Sequence, residues 1–181
     1  EAFLKEGIAS YRFDKRTKSN PETFSDESTV EDEVVVDAVA IINHFRGSEK
    51  FKNHKIIVLG HSLGAFMMPK IANSISIDKA IMMAGNARDL PDVIIDQYVY
   101  LNNLNPTKEG EDEIIKLKKE VSLLTSNIIN TTASSDELPL GLSAKYWQSL
   151  INYKPLVEVK KVTIPLLILN GERDYQVTMK E

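Results

Sequence analysis

Ser62 sits in Gly60-His61-Ser62-Leu63-Gly64, directly after the apolar run Ile56-Ile57-Val58-Leu59. A serine hydroxyl attacks a carbonyl only when it is exposed and a neighbouring base takes its proton. The G-x-S-x-G spacing provides the exposure when a strand leads in and a helix leads out. The serine then stands at the tip of a very tight turn, in a strained backbone conformation. Gly60 and Gly64 are expected to lack side chains because neighbours two residues either side of the serine come close. His61 is expected to pack or hydrogen-bond locally. The Leu63 N–H opens the helix, where partial positive charge suits a developing oxyanion. An ordinary glycine-flanked serine turn is the competing reading, and the strand and helix around the motif weigh against it.

The elements that must position Ser62 can be read from periodicity. Residues 56–59, rich in β-branched side chains, read as a buried strand of a parallel sheet. Residues 65–72 read as a helix packed by its apolar face. Ala80-Ile81-Met82-Met83-Ala84-Gly85 is a second short buried strand. Residues 165–169 form a third, which runs into a polar turn with Asp174 just past it. Upstream, residues 7–13 read as a strand. The polar loop that follows carries an Asp14/Arg16 pair, expected to brace the loop. Ser28 with Glu31 makes a capping box. The helix it opens carries Val34, Ala38, Ile41 and Phe45 on one stripe. Asp26, Glu27, Glu31, Asp32 and Glu33 crowd its start and read as water-facing carboxylates at a helix N-terminus, not as a metal cluster.

Helical patterns cover residues 91–102, 111–128 (Ile114, Leu117, Val121, Leu124, Ile128) and 143–151, with a loop at 131–136. This block of about seventy-five residues between two strands exceeds an ordinary crossover. It reads as a lid over the site, with plain crossover helices as the alternative. Tyr98, Tyr100, Tyr146 and Trp147 are candidates to line an apolar pocket or to belong to the core.

The bulk properties narrow the class. The chain has 181 residues, 43% apolar and 27% charged, as an ordinary globular domain has. A net charge of −4 gives no general attraction to nucleic acid or anionic membranes. Without cysteine there are no disulfides and no thiolate metal sites. No apolar run reaches the length of a membrane span. No signal peptide is visible, which leans towards the cytoplasm. The chain opens on Glu1 and not Met, so secretion stays open.

At this point a resemblance can be named. Tyr11-Arg12-Phe13-Asp14-Lys15-Arg16, Gly60-His61-Ser62-Leu63-Gly64, Tyr146-Trp147 and residues 165–177 together resemble an α/β-hydrolase. The group is that of the bacterial esterases/lysophospholipases and the S33-type serine aminopeptidases. The resemblance implies a mostly parallel sheet with helices on both faces and a helical lid, in partial form, without the opening strands and the last strand. Residues 1–88 would be the core part with the nucleophile elbow, 89–153 the lid, and 154–181 the core strand carrying the acid. It implies hydrolysis of carboxylic esters, with amides as a second substrate class, and no metal or organic cofactor. Ser62 would be the nucleophile, Leu63 N–H an oxyanion donor, and Asp174 the acid that orients a histidine, in the chain order serine, acid, histidine. The partner implied is a small-molecule ester or amide.

Two departures qualify the resemblance. After Asp14-Lys15-Arg16 the group continues with glycines, where this chain has Thr17-Lys18-Ser19. The base is also absent: the histidines are His44, His54 and His61, and none follows Asp174. The expectation is therefore an internal piece of a larger hydrolase domain, inactive alone, whose histidine lies past Glu181. A decayed pseudoenzyme, or a non-catalytic scaffold used for binding, is the competing expectation.

Overall fold

The structure, a computed structural model, describes residues 2–126 and 134–180. The chain is α/β. Strands β1 (Ile57–His61), β2 (Lys79–Met83) and β3 (Leu166–Leu169) form one parallel sheet in the order β1-β2-β3. His61 pairs with Met83, and Met83 with Leu169, so the three strands end on one row.

The helices are α1 (Ala2–Lys5), α2 (Arg16–Ser19), α3 (Val36–Gly47), α4 (Leu63–Phe66), α5 (Met68–Ser74), α6 (Leu90–Leu104), α7 (Lys108–Ser126), α8 (Ala144–Asn152) and α9 (Pro155–Glu158). One core cluster joins Val35 and Ile42 near and within α3, Phe66, Met67 and Ile71 at the elbow helices, Leu117 and Leu124 of α7, and Trp147 and Leu150 of α8. Trp147 is wholly buried and its Nε1 donates to the Pro139 carbonyl at 3.0 Å, so it is core and not pocket wall. Tyr146 is buried too. Leu117, Val121 and Leu124 are buried as the α7 spacing predicts, while Ile128 and residues 131–133 lie outside the described residues. Ser143 caps α8 by accepting from the Tyr146 N–H at 3.2 Å.

Several expectations are corrected. Side chains alternate across a strand. Val58, Ala80, Met82 and Leu166 belong to or pack against the core cluster. Ile57, Leu59 and Leu167, on the other face, are 51%, 47% and 51% exposed. Among the described residues the helices thus cover one face at β1 and β2 and leave the other open, while Ile168 on the edge strand β3 is 65% exposed even on the covered side. Residues 8–13 run without a strand ladder, with Ile8, Tyr11 and Phe13 exposed. Apolar alternation makes a strand only where a neighbour accepts its hydrogen bonds, and no described strand does so here.

The α3 region also differs in register. The capping box forms one residue later than predicted. Thr29 N–H donates to Asp32 Oδ2 at 2.8 Å and Asp32 N–H donates back to Thr29 Oγ1 at 3.3 Å. The Thr29 hydroxyl bond, above all, holds the Asp32 carboxyl below its ordinary range. A π-turn over Glu31–Val35 then rotates the following face. Val34 and Ala38 are buried as their spacing predicts, but the stripe continues through Ile42 and not Ile41 and Phe45. The acids there are partnered as well as solvated: Glu31 pairs with Lys70 at 2.9 Å and Glu33 with Lys15 at 3.0 Å, while the Tyr146 hydroxyl donates to Glu33. Asp14 and Arg16 do not pair with each other. Asp14 meets Lys18 at 3.0 Å and Arg16 meets Asp37 at 2.9 Å, which straps the α2 turn to α3.

Asp78 closes the far end of the sheet. Its carboxylate accepts from the Ile56 N–H at 2.7 Å and from Arg46 at 2.8 Å, tying α3 to the start of β1. The Ile56 amide bond, then the Arg46 bond, holds this carboxyl below its ordinary value. A depressed folded-state value means stability present above the unfolded range and lost as pH falls through the folded one. Asp78→Asn is expected to cost about 1 kcal/mol in denaturant unfolding at pH 7, discounted because the pair is partly exposed. The difference from wild type should fade as pH falls below about 4. An unchanged difference at pH 2.5 would contradict the assignment.

Candidate active site

The turn after β1 leads from the strand directly into a short helix. Ser62 has φ 53° and ψ −117°, outside the regions open to ordinary L-residues. Its N–H donates to the Met83 carbonyl at 2.9 Å, extending the sheet ladder by one step. Its carbonyl accepts from Ala65 and Phe66 at 2.9 Å each, which starts α4. Ser62 is exposed at the row where the strands end. Leu63 is the first residue of α4, so its N–H lies outside the helix's own bonding. Helices α4 and α5 are separate, with Met67 between them and Pro69 in the first turn of α5.

The two glycines are not equivalent. A Cβ at Gly60 would stand 2.3 Å from the Gly64 carbonyl oxygen and 2.5 Å from its carbon. A Cβ at Gly64 meets nothing within 4 Å. The steric need lies at Gly60 alone, which corrects the symmetrical expectation. His61 is exposed, on the strand face that also carries Ile57 and Leu59.

Asp174 lies in the turn past β3. Its N–H donates to the Gly171 carbonyl at 3.1 Å. Its Oδ1 accepts from the Gln176 N–H at 2.9 Å and the Val177 N–H at 3.0 Å. Among the described residues only Oδ1 is engaged, which leaves Oδ2 for another donor. Because β1 and β3 are parallel and end in register, Ser62 and Asp174 leave the same edge of the sheet. Two ladder steps of about 4.8 Å separate their strands. The structure brings these two to one edge and brings no histidine between them: His44 is exposed on α3, His54 precedes β1 at the opposite end, and His61 lies within β1.

One part of this edge escapes the motif. Ala84, directly after β2, has φ 49°, a second strained residue beside Ser62. Its N–H donates to the Leu169 carbonyl at 2.9 Å. A Cβ at the next residue, Gly85, would lie 2.9 Å from the Ala65 Cβ, so this turn rests directly on α4. Asn86 is 7% exposed and its amide donates to the Arg88 carbonyl at 2.9 Å. The sequence signal for this turn is a glycine closing an apolar strand, the same signal that marks the elbow. Two surface clefts, one beside Tyr11, His44 and Phe45 and one beside Lys70, Asn152 and Tyr153, contain neither Ser62 nor Asp174.

Among known proteins, the chain is similar to the esterase EstD of Thermotoga maritima, with 36% identity over 178 residues. The match takes in 97% of this chain and 40% of that protein, so the chain spans about two fifths of the length of that relative. No protein-family model matches, and no solved structure matches.

The asymmetry of the glycines is open to direct measurement. Gly60→Ala forces a Cβ into backbone atoms and is expected to cost on the order of 3 kcal/mol. Gly64→Ala replaces a helical glycine in open space and is expected to change stability by less than about 1 kcal/mol, in the stabilising direction. Equal losses for the two in denaturant unfolding would refute this geometry.

Proposed function

We propose that this chain carries the nucleophile and the acid of a serine hydrolase of carboxylic esters, built on part of an α/β-hydrolase fold. One observation carries the reading: Ser62 is exposed in a strained turn between a parallel strand and a helix. The similarity to an esterase supports it. In this reading the Ser62 hydroxyl attacks the ester carbonyl carbon and its proton passes to an imidazole. The Leu63 N–H faces the oxyanion. The imidazolium then protonates the leaving alcohol, and water cleaves the acyl-serine by the reverse sequence. Asp174 Oδ2 orients the imidazole. We assign that imidazole to a histidine outside these 181 residues, because His44, His54 and His61 are badly placed for it. The helices between β2 and β3 act as the lid. Amides, whose leaving amine would take the imidazolium proton as the alcohol does, are a second substrate class in this reading.

Because a fold does not fix a function, the second reading is a non-catalytic scaffold used for binding. One experiment separates them. The full reading frame encoding these residues is assayed with a p-nitrophenyl ester, alongside Ser62→Ala. The expected result is a loss of at least about a thousandfold in the variant, with thermal melting unchanged. A loss smaller than about tenfold would exclude Ser62 as nucleophile, and absent turnover in the wild type would favour the scaffold.

A further inference from the structure

Helix α6 does more than span the gap after β2. Gln97 Nε2 donates to the Gln176 carbonyl at 2.8 Å. One turn on, the Tyr100 ring stacks on the Tyr175 ring, with centroids 5.1 Å apart and planes 9° apart. Residues three apart share one face of a helix. A single face of α6 therefore grips two consecutive residues of the turn that carries Asp174.

That turn is otherwise held by its own hydrogen bonds and by the buried Val177 side chain. It belongs to no strand or helix. Within it, the Asp174 N–H donates to the Gly171 carbonyl at 3.1 Å, Asp174 Oδ1 accepts from the Gln176 and Val177 amides, and Asn170 Nδ2 donates to the Val177 carbonyl at 3.0 Å. The Gln176 peptide is thus held twice, by Asp174 through its N–H and by Gln97 through its carbonyl. α6 is itself anchored. Val93 and Ile94 are buried, and Asp89, just before the helix, pairs with Lys154 at 2.7 Å.

We infer that Gln97 and Tyr100 are positioning residues: α6 sets the orientation of the Asp174 carboxylate by bracing residues 175–176. This rests on the hydrolase reading above for its catalytic consequence, and on geometry alone for the brace. The helix that follows β2 then governs how the acid presents Oδ2, and a shift of α6 changes catalysis without touching substrate. Simple surface packing is the rival account. It predicts no selective effect on the turn and none on kcat.

The test uses the full reading frame with Gln97→Met, which keeps length and helix propensity but removes the donor. Tyr100→Ala removes the stack, and Tyr100→Phe retains it. Amide exchange at Gln176 and Val177 is followed by NMR, with β1 and β2 amides as internal reference. Gln97→Met and Tyr100→Ala should each speed exchange at both amides at least tenfold and lower kcat at least tenfold, with KM within twofold. Tyr100→Phe should match wild type in both. Unchanged exchange in both disruptive variants would overturn the brace. Faster exchange with kcat intact would overturn the positioning role. A wild type without Ser62-dependent turnover would count against the esterase reading alone, and the exchange rates would still decide the brace.

Discussion

The whole site edge depends on one close approach, the Gly60 backbone against the Gly64 carbonyl. With no Cβ at Gly60, the chain can turn from β1 into α4 within one residue, and Ser62 absorbs the turn at φ 53°. Such a conformation costs on the order of 1–3 kcal/mol and persists only when its surroundings over-determine it. Here they do. Ser62 is bonded on its amide side to β2 and on its carbonyl side to α4. Behind it Ala65, Phe66, Met67 and Met68 are buried, so the helix cannot swing to relieve the serine.

The energy that opposes this strain comes from the apolar cluster on one face of the sheet. That cluster draws on every long helix described, since α3, α6, α7 and α8 each contribute a buried side chain. The helices between β2 and β3 are therefore not a loose flap over the edge. Trp147 and Leu124 are buried in the same cluster as Phe66, and the Phe66 ring meets Tyr153 edge-on at 5.0 Å. A proposed lid whose roots lie in the core beneath Ser62 is coupled mechanically to it.

What was legible in the sequence was local. The Ser62 turn depends largely on its own neighbours, so the five residues and their flanks marked its place, though not its bond to Met83. The α7 stripe and the Ser143 cap were legible for the same reason. Apart from the clash expected at Gly64, the misreadings concern non-local partners or small shifts of register. Residues 8–13 carry strand periodicity, yet pairing depends on a neighbour that periodicity does not reveal. Ile57, Leu59 and Leu167 look as buried as Val58, because an apolar run is the same whether one face is covered or two. Val34 and Ala38 are buried as their spacing predicts, but past the π-turn at Glu31–Val35 the stripe continues through Ile42 and not Ile41 and Phe45, and no propensity marks a π-turn in advance. Asp174 was placed past a strand by pattern, but its grip by Gln97 joins residues far apart in the chain.

The sheet ladder links the two proposed catalytic residues more tightly than their separation in sequence implies. It runs one step past each strand end. Ser62 N–H reaches Met83, and Ala84 N–H reaches Leu169. Both of these residues are strained, and both are secured by the next strand along. β3 therefore holds Ala84, whose neighbour Gly85 lies so near Ala65 of α4 that a side chain there would clash, and the Ala65 N–H bonds the Ser62 carbonyl. The same β3 leads into the Asp174 turn. Any displacement of β3 reaches the serine through two hydrogen bonds and one tight contact, and reaches the acid directly. Ser62 and Asp174 therefore share one support, the end of β3, although no single hydrogen bond joins them.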